Sequence, residues 1–319
     1  MKIATVRYGS HALFALVQDG YVFDAPLLVA SCCSGEEAQL LPATVLEALA
    51  RPEALALCRR ALEKVAGVRE EELPREALLG RVGEVSFLPP VYLPGKILCL
   101  AGNYAEHIEE GGREKAPLKE TTNPWIFTKP ATTGLIGDGA PIQIPKVWKK
   151  VDWEAELAVI VGRRGKYIEA ERALDYVAGY AVFNDVSGRG LNLAPHRVER
   201  PRDAFFDWFH GKQMDTFAVL GPWLVTPDEV GDPQSLRITL RVNGKVKQDA
   251  STAKMIFSVA EIIAFASQIM TLEPGDVIAT GTPAGVGAAQ HEFLRPGDVV
   301  EVEVEKVGTL RNPVIDEMV

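Results

Sequence analysis

The stretch DWEAELAVIVG, residues 152–162, decides the fold. Side chains alternate between the two faces of a strand, and both faces of this one carry apolar residues. The stretch therefore predicts a β-strand that is buried on both sides. Glu154 and Glu156 lie two residues apart, so we expect both carboxylates on one face, which continues into Ala158 and Ile160. An acidic pair of this kind usually faces solvent, but these neighbours argue for burial.

Two buried carboxylates repel each other and lose hydration, so they require a cation or several strong donors. A third carboxylate, Asp185, ends the apolar run VAGYAVFND at 177–185, although aspartate at a strand end is as often a turn residue. All-oxygen ligands suit Mg²⁺ or Mn²⁺ better than zinc, and Ca²⁺ stays open. The sequence therefore predicts a metal site of Glu154, Glu156 and Asp185. The other use of paired carboxylates, glycoside hydrolysis, would require an aromatic sugar groove that the sequence does not indicate.

Outward from this strand, short strand-like runs alternate with irregular segments. They are ILCLAG (97–102), WIFTKP (125–130), PIQIP (141–145), VAGYAVFND, FAVLGPWLV (217–225), LRITLRVNGKVKQ (236–248), VIATGTP (277–283) and VVEVEVEKVGTLRNPV (299–314). Asn243-Gly244 predicts a hairpin turn, and one clear helix is expected near 258–270. Strands outnumber helices and do not alternate with them. The prediction is an α+β, mainly β class with a mixed β-roll or barrel-like core.

The first quarter of the chain has a different character. KIATVRY, ALFALVQ and YVFD predict three short strands, and apolar residues spaced three or four apart predict a helical stretch over about 43–68. Pro89, Pro90 and Pro94 then interrupt the chain. We place a domain boundary there, with a small N-terminal domain at 1–88 and the larger domain at 89–319.

Composition excludes several classes of protein. Of 319 residues, 47% are hydrophobic and 24% charged, which is typical of a globular protein. The formal charge of −9 argues against nucleic acid as the main partner, because phosphate binding requires a basic surface. No apolar stretch reaches the ~18 residues of a membrane span, and the start lacks a secretory apolar segment. Four cysteines without C-x-x-C spacing indicate reduced thiols, so we predict a cytoplasmic protein.

Three further features suit an active site. His107 would have Glu110 beside it on one helical turn, which gives an oriented general base. Lys212 precedes the buried run 217–225 and could meet an anion or an enolate. The loop TGTPAGVG, residues 280–287, lets backbone N–H groups approach an anion. Each feature alone is as well explained by a surface helix, a solvated lysine or a tight turn.

Taken together, six segments resemble the fumarylacetoacetate hydrolase family. They are GNYAEHIEE (102–110), FTKP (127–130), DWEAELAVIVG, GYAVFNDVSGR (179–189), GKQMDTFAVLGP (211–222) and TGTPAGVG, in the family's order. The resemblance implies a β-roll catalytic domain, a smaller variable N-terminal domain, a homodimer, and Mg²⁺ or Mn²⁺ on Glu154, Glu156 and Asp185.

The resemblance also implies roles for other residues. His107 and Glu110 match the family's catalytic pair, carried on a lid, and Lys212 matches its active-site lysine. The residues implied to bind substrate are Arg189, Asn192 and Thr282. The resemblance implies no role for the arginine-rich segment 196–207, which we expect to shape substrate choice.

These residues lead first to a hydrolase that cleaves a C–C bond in a small anionic β-diketo or 2-oxo acid, as a fumarylacetoacetate or acylpyruvate hydrolase does. The same site would support alternatives: an isomerase of 2-hydroxy-diene-dioates, a decarboxylase of 2-oxo acids such as oxaloacetate, or a sugar-acid or ureidoglycolate-type lyase. A non-enzymatic scaffold with a structural cation is disfavoured, because it would need neither the His107–Glu110 pair nor Lys212.

Overall fold

The computed structural model describes residues 1–33, 37, 39–112, 115–194 and 196–318. The strands are β1 Lys2–Tyr8, β2 His11–Gln18, β3 Tyr21–Asp24, β4 Leu78–Arg81, β5 Ser86–Leu88, β6 Ile97–Ala101, β7 Trp125–Thr128, β8 Leu135–Ile136, β9 Ile142–Ile144, β10 Val151–Asp152, β11 Ala155–Val161, β12 Val177–Asp185, β13 Ser187–Gly188, β14 Ala218–Val225, β15 Arg237–Val242, β16 Lys245–Ser251, β17 Val277–Ala279, β18 Val299–Val304 and β19 Gly308–Asp316. The α-helices are α1 Ala25–Cys32, α2 Val45–Leu49, α3 Pro52–Val65, α4 Ala105–Glu110, α5 Asp203–Gly211, α6 Pro227–Val230, α7 Val259–Ile269 and α8 Gly287–Gln290. Short 3-10 turns lie at Glu70–Glu72, Val82–Glu84, Lys119–Thr121, Ala170–Tyr176 and Thr252–Lys254.

The largest sheet runs in the order β4-β3-β2-β1-β14-β12-β11-β17-β6-β7, with β5 on β1 and β8 on β14. A second sheet runs β16-β15-β18-β19-β9, and β10 pairs with β13. Within the described residues β4 and β7 are the two ends of the large sheet, so it is open rather than a closed barrel. The predicted class, α+β and mainly β, is confirmed.

Strand β11 lies inside the large sheet and every one of its residues is buried. Leu157, Val159 and Val161 pack into one hydrophobic cluster together with the second sheet and helix α7. Ala158 and Ile160 pack into another cluster with the N-terminal helices. The predicted burial on both faces is confirmed, and Glu156 stands on the face of Ala158 and Ile160.

Local sequence signals fix several elements. Asn243 and Gly244 take positive φ values of 51° and 76°, as the predicted tight turn between β15 and β16 requires. Helix α7 begins after Ser258, whose side chain forms a capping box with Glu261. The predicted helical stretch at 43–68 is two helices, because Pro52 starts the second.

Helix α5 lies in the segment that we had interpreted as irregular. Its aromatic residues Phe205, Phe206, Trp208 and Phe209 have helical spacing, but the helix has only nine residues and follows an arginine- and proline-rich stretch, so the pattern is too short to stand out. Trp208 packs edge-on against Phe127 of β7, with ring centroids 5.0 Å apart. The helix therefore joins the core through Trp208 and ends at Gly211, just before Lys212.

Residues 1–88 share the large sheet with the rest of the chain. Strand β1 pairs with β14 at Lys2–Val225 and Ile3–Leu224, and β5 pairs with β1. One hydrophobic cluster contains side chains from both parts, such as Leu28 and Phe183. The division into 1–88 and 89–319 remains a proposal about how the chain is organised.

Candidate active site

Three carboxylates meet where β11 begins and β12 ends. Glu154, Glu156 and Asp185 are buried, and one oxygen from each lies within 4.8 Å of the others. Pairing of Ala155 with Asn184 brings them together, and the Asp185 N–H donates to the Glu154 carbonyl at 2.9 Å. Glu154 itself lies between β10 and β11, contrary to the prediction that it is within the strand. Its N–H donates to the side-chain oxygen of Asn184 on β12 at 3.0 Å, and not to a backbone carbonyl as in a strand pair.

Glu156 is the least compensated of the three. Its Oε2 accepts a hydrogen bond from the Gly281 N–H at 2.8 Å. Its Oε1 is buried and has no hydrogen-bond partner within the described residues. Burial, and then the charges of Asp185 and Glu154, raise the pKa of Glu156 well above its usual value. A buried carboxylate with an unpartnered oxygen indicates a place for a cation.

Lys212 bridges two of the carboxylates. Its Nζ donates to Glu154 Oε2 at 2.7 Å and to Asp185 Oδ2 at 2.8 Å. Burial lowers the pKa of Lys212, but Asp185 and Glu154 outweigh that effect and raise it above its usual value. Burial alone would raise the pKa of Glu154. The charges of Lys212, Arg189 and His107 outweigh burial and hold that pKa below its usual range. The lysine is thus charged and fixed at the cluster.

Lys129 is a second buried lysine at the cluster, and sequence reasoning gave it no role. Its side chain is fully buried, and its Nζ donates to Asp185 Oδ1 and to the Val186 carbonyl, the latter at 2.9 Å. The available signal was its place in the FTKP segment, directly after the apolar strand β7. A fully buried lysine requires an acid partner, and Asp185 provides it.

Arg189 connects the cluster to Asp152. Its Nε donates to Asp152 Oδ2 at 2.8 Å, and its Nη2 lies 2.6 Å from Glu154 Oε1. Asp152, which sequence reasoning missed, also accepts the N–H groups of Gly287 and Ala288 at 2.7 and 2.9 Å. These contacts direct Arg189 at two carboxylates of the protein, so its predicted contact with substrate remains a hypothesis.

His107 and Glu110 form the predicted pair on α4. Nδ1 of His107 lies 2.8 Å from Glu110 Oε1, and the Gly285 N–H donates to Glu110 Oε2 at 2.7 Å. The loop 280–287 therefore fixes Glu110, and Glu110 fixes the imidazole. Gly112 is the last described residue before 113–114, so a lid motion of this segment remains a prediction.

The remaining predicted residues lie in two places. Thr282 is buried, and its hydroxyl accepts from Gln248 Nε2 at 2.8 Å, which leaves its own proton to be donated. Asn192 is partly buried, and its Oδ1 accepts from the Ala194 N–H at 3.0 Å. It lines a surface cavity of about 520 Å³ together with Arg197 and His210. The fold brings together the three carboxylates, Lys212, Arg189, His107 and Glu110. Asn192 instead forms its hydrogen bond within its own loop.

The donor set fits a divalent cation. All three candidate ligands are carboxylates, which are the ligands of Mg²⁺ and Mn²⁺. Among the described residues, no protein donor reaches Glu156 Oε1, so a cation could satisfy this oxygen. Glu154, Glu156 and Asp185 would hold the cation with one carboxylate oxygen each.

Gly211 sets the position of Lys212, which leads to a first prediction. A Cβ at Gly211 would lie 1.9 Å from the Gly188 carbonyl oxygen. Gly211→Ala must therefore push the end of α5 away from β13, and a displacement of ~1 Å at a catalytic group costs about 10²-fold in rate. We expect kcat to fall by about that factor while the circular dichroism spectrum is retained. Gly83→Ala is the matched control, because its Cβ meets nothing within 4 Å, and equal activity of both variants would contradict the prediction.

Comparison with known proteins bears on the family. Residues 96–315 match the family described as Fumarylacetoacetate (FAA) hydrolase C-terminal. A mitochondrial oxaloacetate tautomerase of Bos taurus is 42% identical over 278 residues, which cover 86% of this chain and 81% of that protein. A mitochondrial oxaloacetate tautomerase of Homo sapiens is 40% identical over 278 residues, with the same coverage of 86% and 81%.

Two solved structures share the whole fold. Maleylpyruvate hydrolase from Sphingobium sp. SYK-6, in complex with manganese (II) and pyruvate, is 28% identical, with a TM-score of 0.73 and all of both chains covered. The 5-carboxymethyl-2-hydroxymuconate delta-isomerase from Mycobacterium smegmatis is also 28% identical, with a TM-score of 0.69 and all of both chains covered.

The comparison contradicts the predicted cytoplasmic location, because the tautomerases of Bos taurus and Homo sapiens are named as mitochondrial proteins. The prediction was wrong because it depended on free thiols and the lack of a secretory segment, and neither feature distinguishes one reducing compartment from another. Within the described residues no helix is long and apolar enough to cross a membrane. The match to the family over two thirds of the chain, and the identity to its members, show that the chain is an enzyme of the fumarylacetoacetate hydrolase family.

Proposed function

We propose that this enzyme interconverts the keto and enol forms of a small 2-oxo dicarboxylic acid of the oxaloacetate type. The observation that carries the proposal is His107, whose Nδ1 lies 2.8 Å from Glu110 Oε1 and whose ring lies close enough to Glu154 to interact with its carboxylate. An oriented base beside cationic side chains suits a proton transfer between carbon and oxygen. The 40–42% identity to oxaloacetate tautomerases supports the choice of substrate.

The proposal assigns Glu154, Glu156 and Asp185 as ligands of Mg²⁺ or Mn²⁺. The manganese in the maleylpyruvate hydrolase structure supports this assignment. When bound, the cation would supply Lewis-acid polarisation of the substrate's 2-oxo and carboxylate oxygens. Thr282 would donate its hydroxyl proton to a substrate carboxylate, since its hydroxyl oxygen already accepts a hydrogen bond from Gln248 Nε2.

The protein's own groups then move one proton. Glu110 accepts from Nδ1 of His107, which leaves Nε2 unprotonated and able to act as the base. In the keto-to-enol direction Nε2 removes a proton from the carbon next to the 2-oxo group, and the electron pair moves onto the oxo oxygen. Lys212 stabilises the negative charge there until that oxygen takes the proton from His107. The reverse sequence regenerates the keto acid, and no water is consumed.

Hydrolysis of a C–C bond, the first hypothesis from sequence, is the second candidate. Its support is the similarity over the full length of both chains to maleylpyruvate hydrolase. It would use the same His107 to activate a water instead of removing a carbon-bound proton. The tautomerases are the more similar proteins, at 42% against 28% identity, so the comparisons favour the isomerase.

The test follows three products from one protein preparation. Full-length enzyme with Mg²⁺ or Mn²⁺ is added to freshly dissolved enol-oxaloacetate, and the loss of enol absorbance is followed. We expect ketonisation faster than in buffer, loss of that rate with EDTA, and recovery with either cation. Pyruvate release, coupled to lactate dehydrogenase, measures decarboxylation, and an acylpyruvate panel measures hydrolysis. Acylpyruvate cleavage without ketonisation would overturn the proposal in favour of the hydrolase.

A further inference from the structure

Lys129 and Lys212 contact different oxygens of one carboxylate. Lys129 bonds Oδ1 of Asp185, whereas Lys212 bonds Oδ2 at 2.8 Å. Lys129 is also tied to the Val186 carbonyl at 2.9 Å and is fully buried, so its ammonium is fixed by two acceptors. Lys212 in contrast reaches the neighbouring Glu154 as well. One oxygen of Asp185 is therefore occupied by a donor that makes no other contact with the cluster in the described part of the chain.

The other two carboxylates show the same arrangement. Oε1 of Glu154 lies 2.6 Å from Arg189 Nη2 and accepts from the Ser187 hydroxyl at 3.3 Å. Oε2 of Glu156 accepts from the Gly281 N–H at 2.8 Å. In each carboxylate one oxygen lies against a fixed protein donor, and the other oxygen either accepts from Lys212 or has no hydrogen-bond partner within the described residues.

This arrangement limits how the carboxylates can bind a cation. Asp185 and Glu154 can each offer a cation the oxygen that Lys212 now contacts, because their other oxygen is held by a second, separate donor. Ca²⁺ takes 6–8 ligands and often uses both oxygens of a carboxylate, while Mg²⁺ requires six ligands in an octahedron. Three single oxygens leave three octahedral positions for water and substrate. They give Ca²⁺ too few protein ligands.

We propose that Lys129 is a positioning residue that restricts Asp185 to one ligand oxygen and so makes the site prefer Mg²⁺ or Mn²⁺ to Ca²⁺. This inference rests on the proposed metal site but not on the proposed reaction. Removing Lys129 frees Oδ1, so Asp185 can bind through both oxygens. The ratio of the Ca²⁺ and Mg²⁺ dissociation constants then falls.

The test compares Lys129→Met with Lys212→Met, which removes the same charge from the other oxygen of the same carboxylate. Metal-stripped full-length protein is titrated with Mn²⁺, and the free Mn²⁺ is read from its electron paramagnetic resonance signal. Mg²⁺ and Ca²⁺ then compete for the bound Mn²⁺. We expect the ratio of dissociation constants, Ca²⁺ over Mg²⁺, to fall about tenfold in Lys129→Met, the lower end of the effect of residues that orient metal ligands. In Lys212→Met both constants change together and the ratio is kept.

Three other results are decisive. An unchanged ratio in Lys129→Met overturns the inference, and so does an equal shift in both variants, because charge alone would then explain it. Failure of the wild-type protein to bind Mn²⁺ overturns the metal site itself, and with it the proposed function. If circular dichroism shows that Lys129→Met does not fold, Arg189→Met makes the same test on Glu154, whose Oε1 then keeps only the 3.3 Å contact with the Ser187 hydroxyl.

Discussion

Glu156→Gln is expected to abolish metal binding and with it the activity. Glu156 Oε1 is buried and has no donor among the residues that the structure describes, so a cation would be its partner. Residues that merely orient a ligand change metal affinity about 10–100-fold, so loss of a ligand should cost at least ~100-fold. Mn²⁺ titration and the ketonisation assay measure the two effects. Glu303→Gln, on the exposed side of β18, is the matched control and should bind Mn²⁺ normally.

The same substitution should have opposite effects on stability with and without metal. In EDTA, at a pH above the raised pKa of Glu156, Glu156→Gln removes a buried charge that lies beside Asp185 and Glu154, so the melting temperature should rise by about 2 °C or more. In saturating Mg²⁺ the wild-type protein should be the more stable, because a bound ion stabilises the folded state. Scanning calorimetry in both buffers measures whether the order of the two melting temperatures reverses. A lower melting temperature for the variant in EDTA would contradict it.

The stability difference between Glu156→Gln and the wild-type protein in EDTA should depend on pH, because Glu156 carries a charge only when it is deprotonated. Burial, with Asp185 and Glu154, raises the pKa of Glu156 above its usual value of 4.5. A raised carboxyl pKa contributes stability that is present at low pH and is lost as pH rises through the folded-state pKa. The advantage of Glu156→Gln over wild type should therefore grow with pH. Melting curves that stay parallel at all pH values would show that Glu156 is not the group responsible.

His107→Gln should lower kcat by about 10²–10⁴, the usual contribution of a general base. Glutamine keeps a polar side chain on α4 but cannot accept and return a proton near neutral pH. KM for oxaloacetate should change little, because the base acts mainly in the transition state. Initial rates over a range of substrate concentrations, at saturating Mg²⁺, separate the two constants.

Two variants make the His107 prediction specific. Glu110→Gln should lose less than His107→Gln, because the imidazole remains and only its orientation by Glu110 and Gly285 is weakened. His11→Gln, at an exposed histidine on β2, should behave as wild type. Weaker Mn²⁺ binding by His107→Gln would assign the histidine to the metal instead, and near-normal kcat would remove it from the mechanism.

Sequence predicted those parts of the molecule whose cause is local. Apolar runs predicted β11 and β12, and the sequence also predicted a helix near 258–270 and the Asn243-Gly244 turn between β15 and β16. The resemblance to a known family supported the carboxylate cluster and the pair on α4. Strand β11 was assigned two buried faces because apolar residues occupy both sets of alternate positions.

The parts that sequence did not predict depend on distant partners. Lys129 and Asp185 are 56 positions apart in the sequence, and Asp152 and Arg189 are 37 positions apart. Neither pair has a periodic signal, because each contact is made only when separate strands come together. Helix α5 was missed for a different reason: its nine residues are fewer than the window over which a helical period can be read, and packing of Trp208 on Phe127 stabilises it.

The pairing of β1 with β14 has a consequence for shortened forms of the enzyme. Strand β14 lies next to β12, which carries Asp185, and its last residues bond to Lys2 and Ile3. A chain reduced to 89–319 would present that part of β14 as an open strand edge, next to apolar side chains such as Leu220 and Leu224 that residues 1–88 now cover. Open edges beside apolar surface recruit strands from other molecules. We therefore expect that the pairing of β1 with β14 protects residues 89–319 from aggregation.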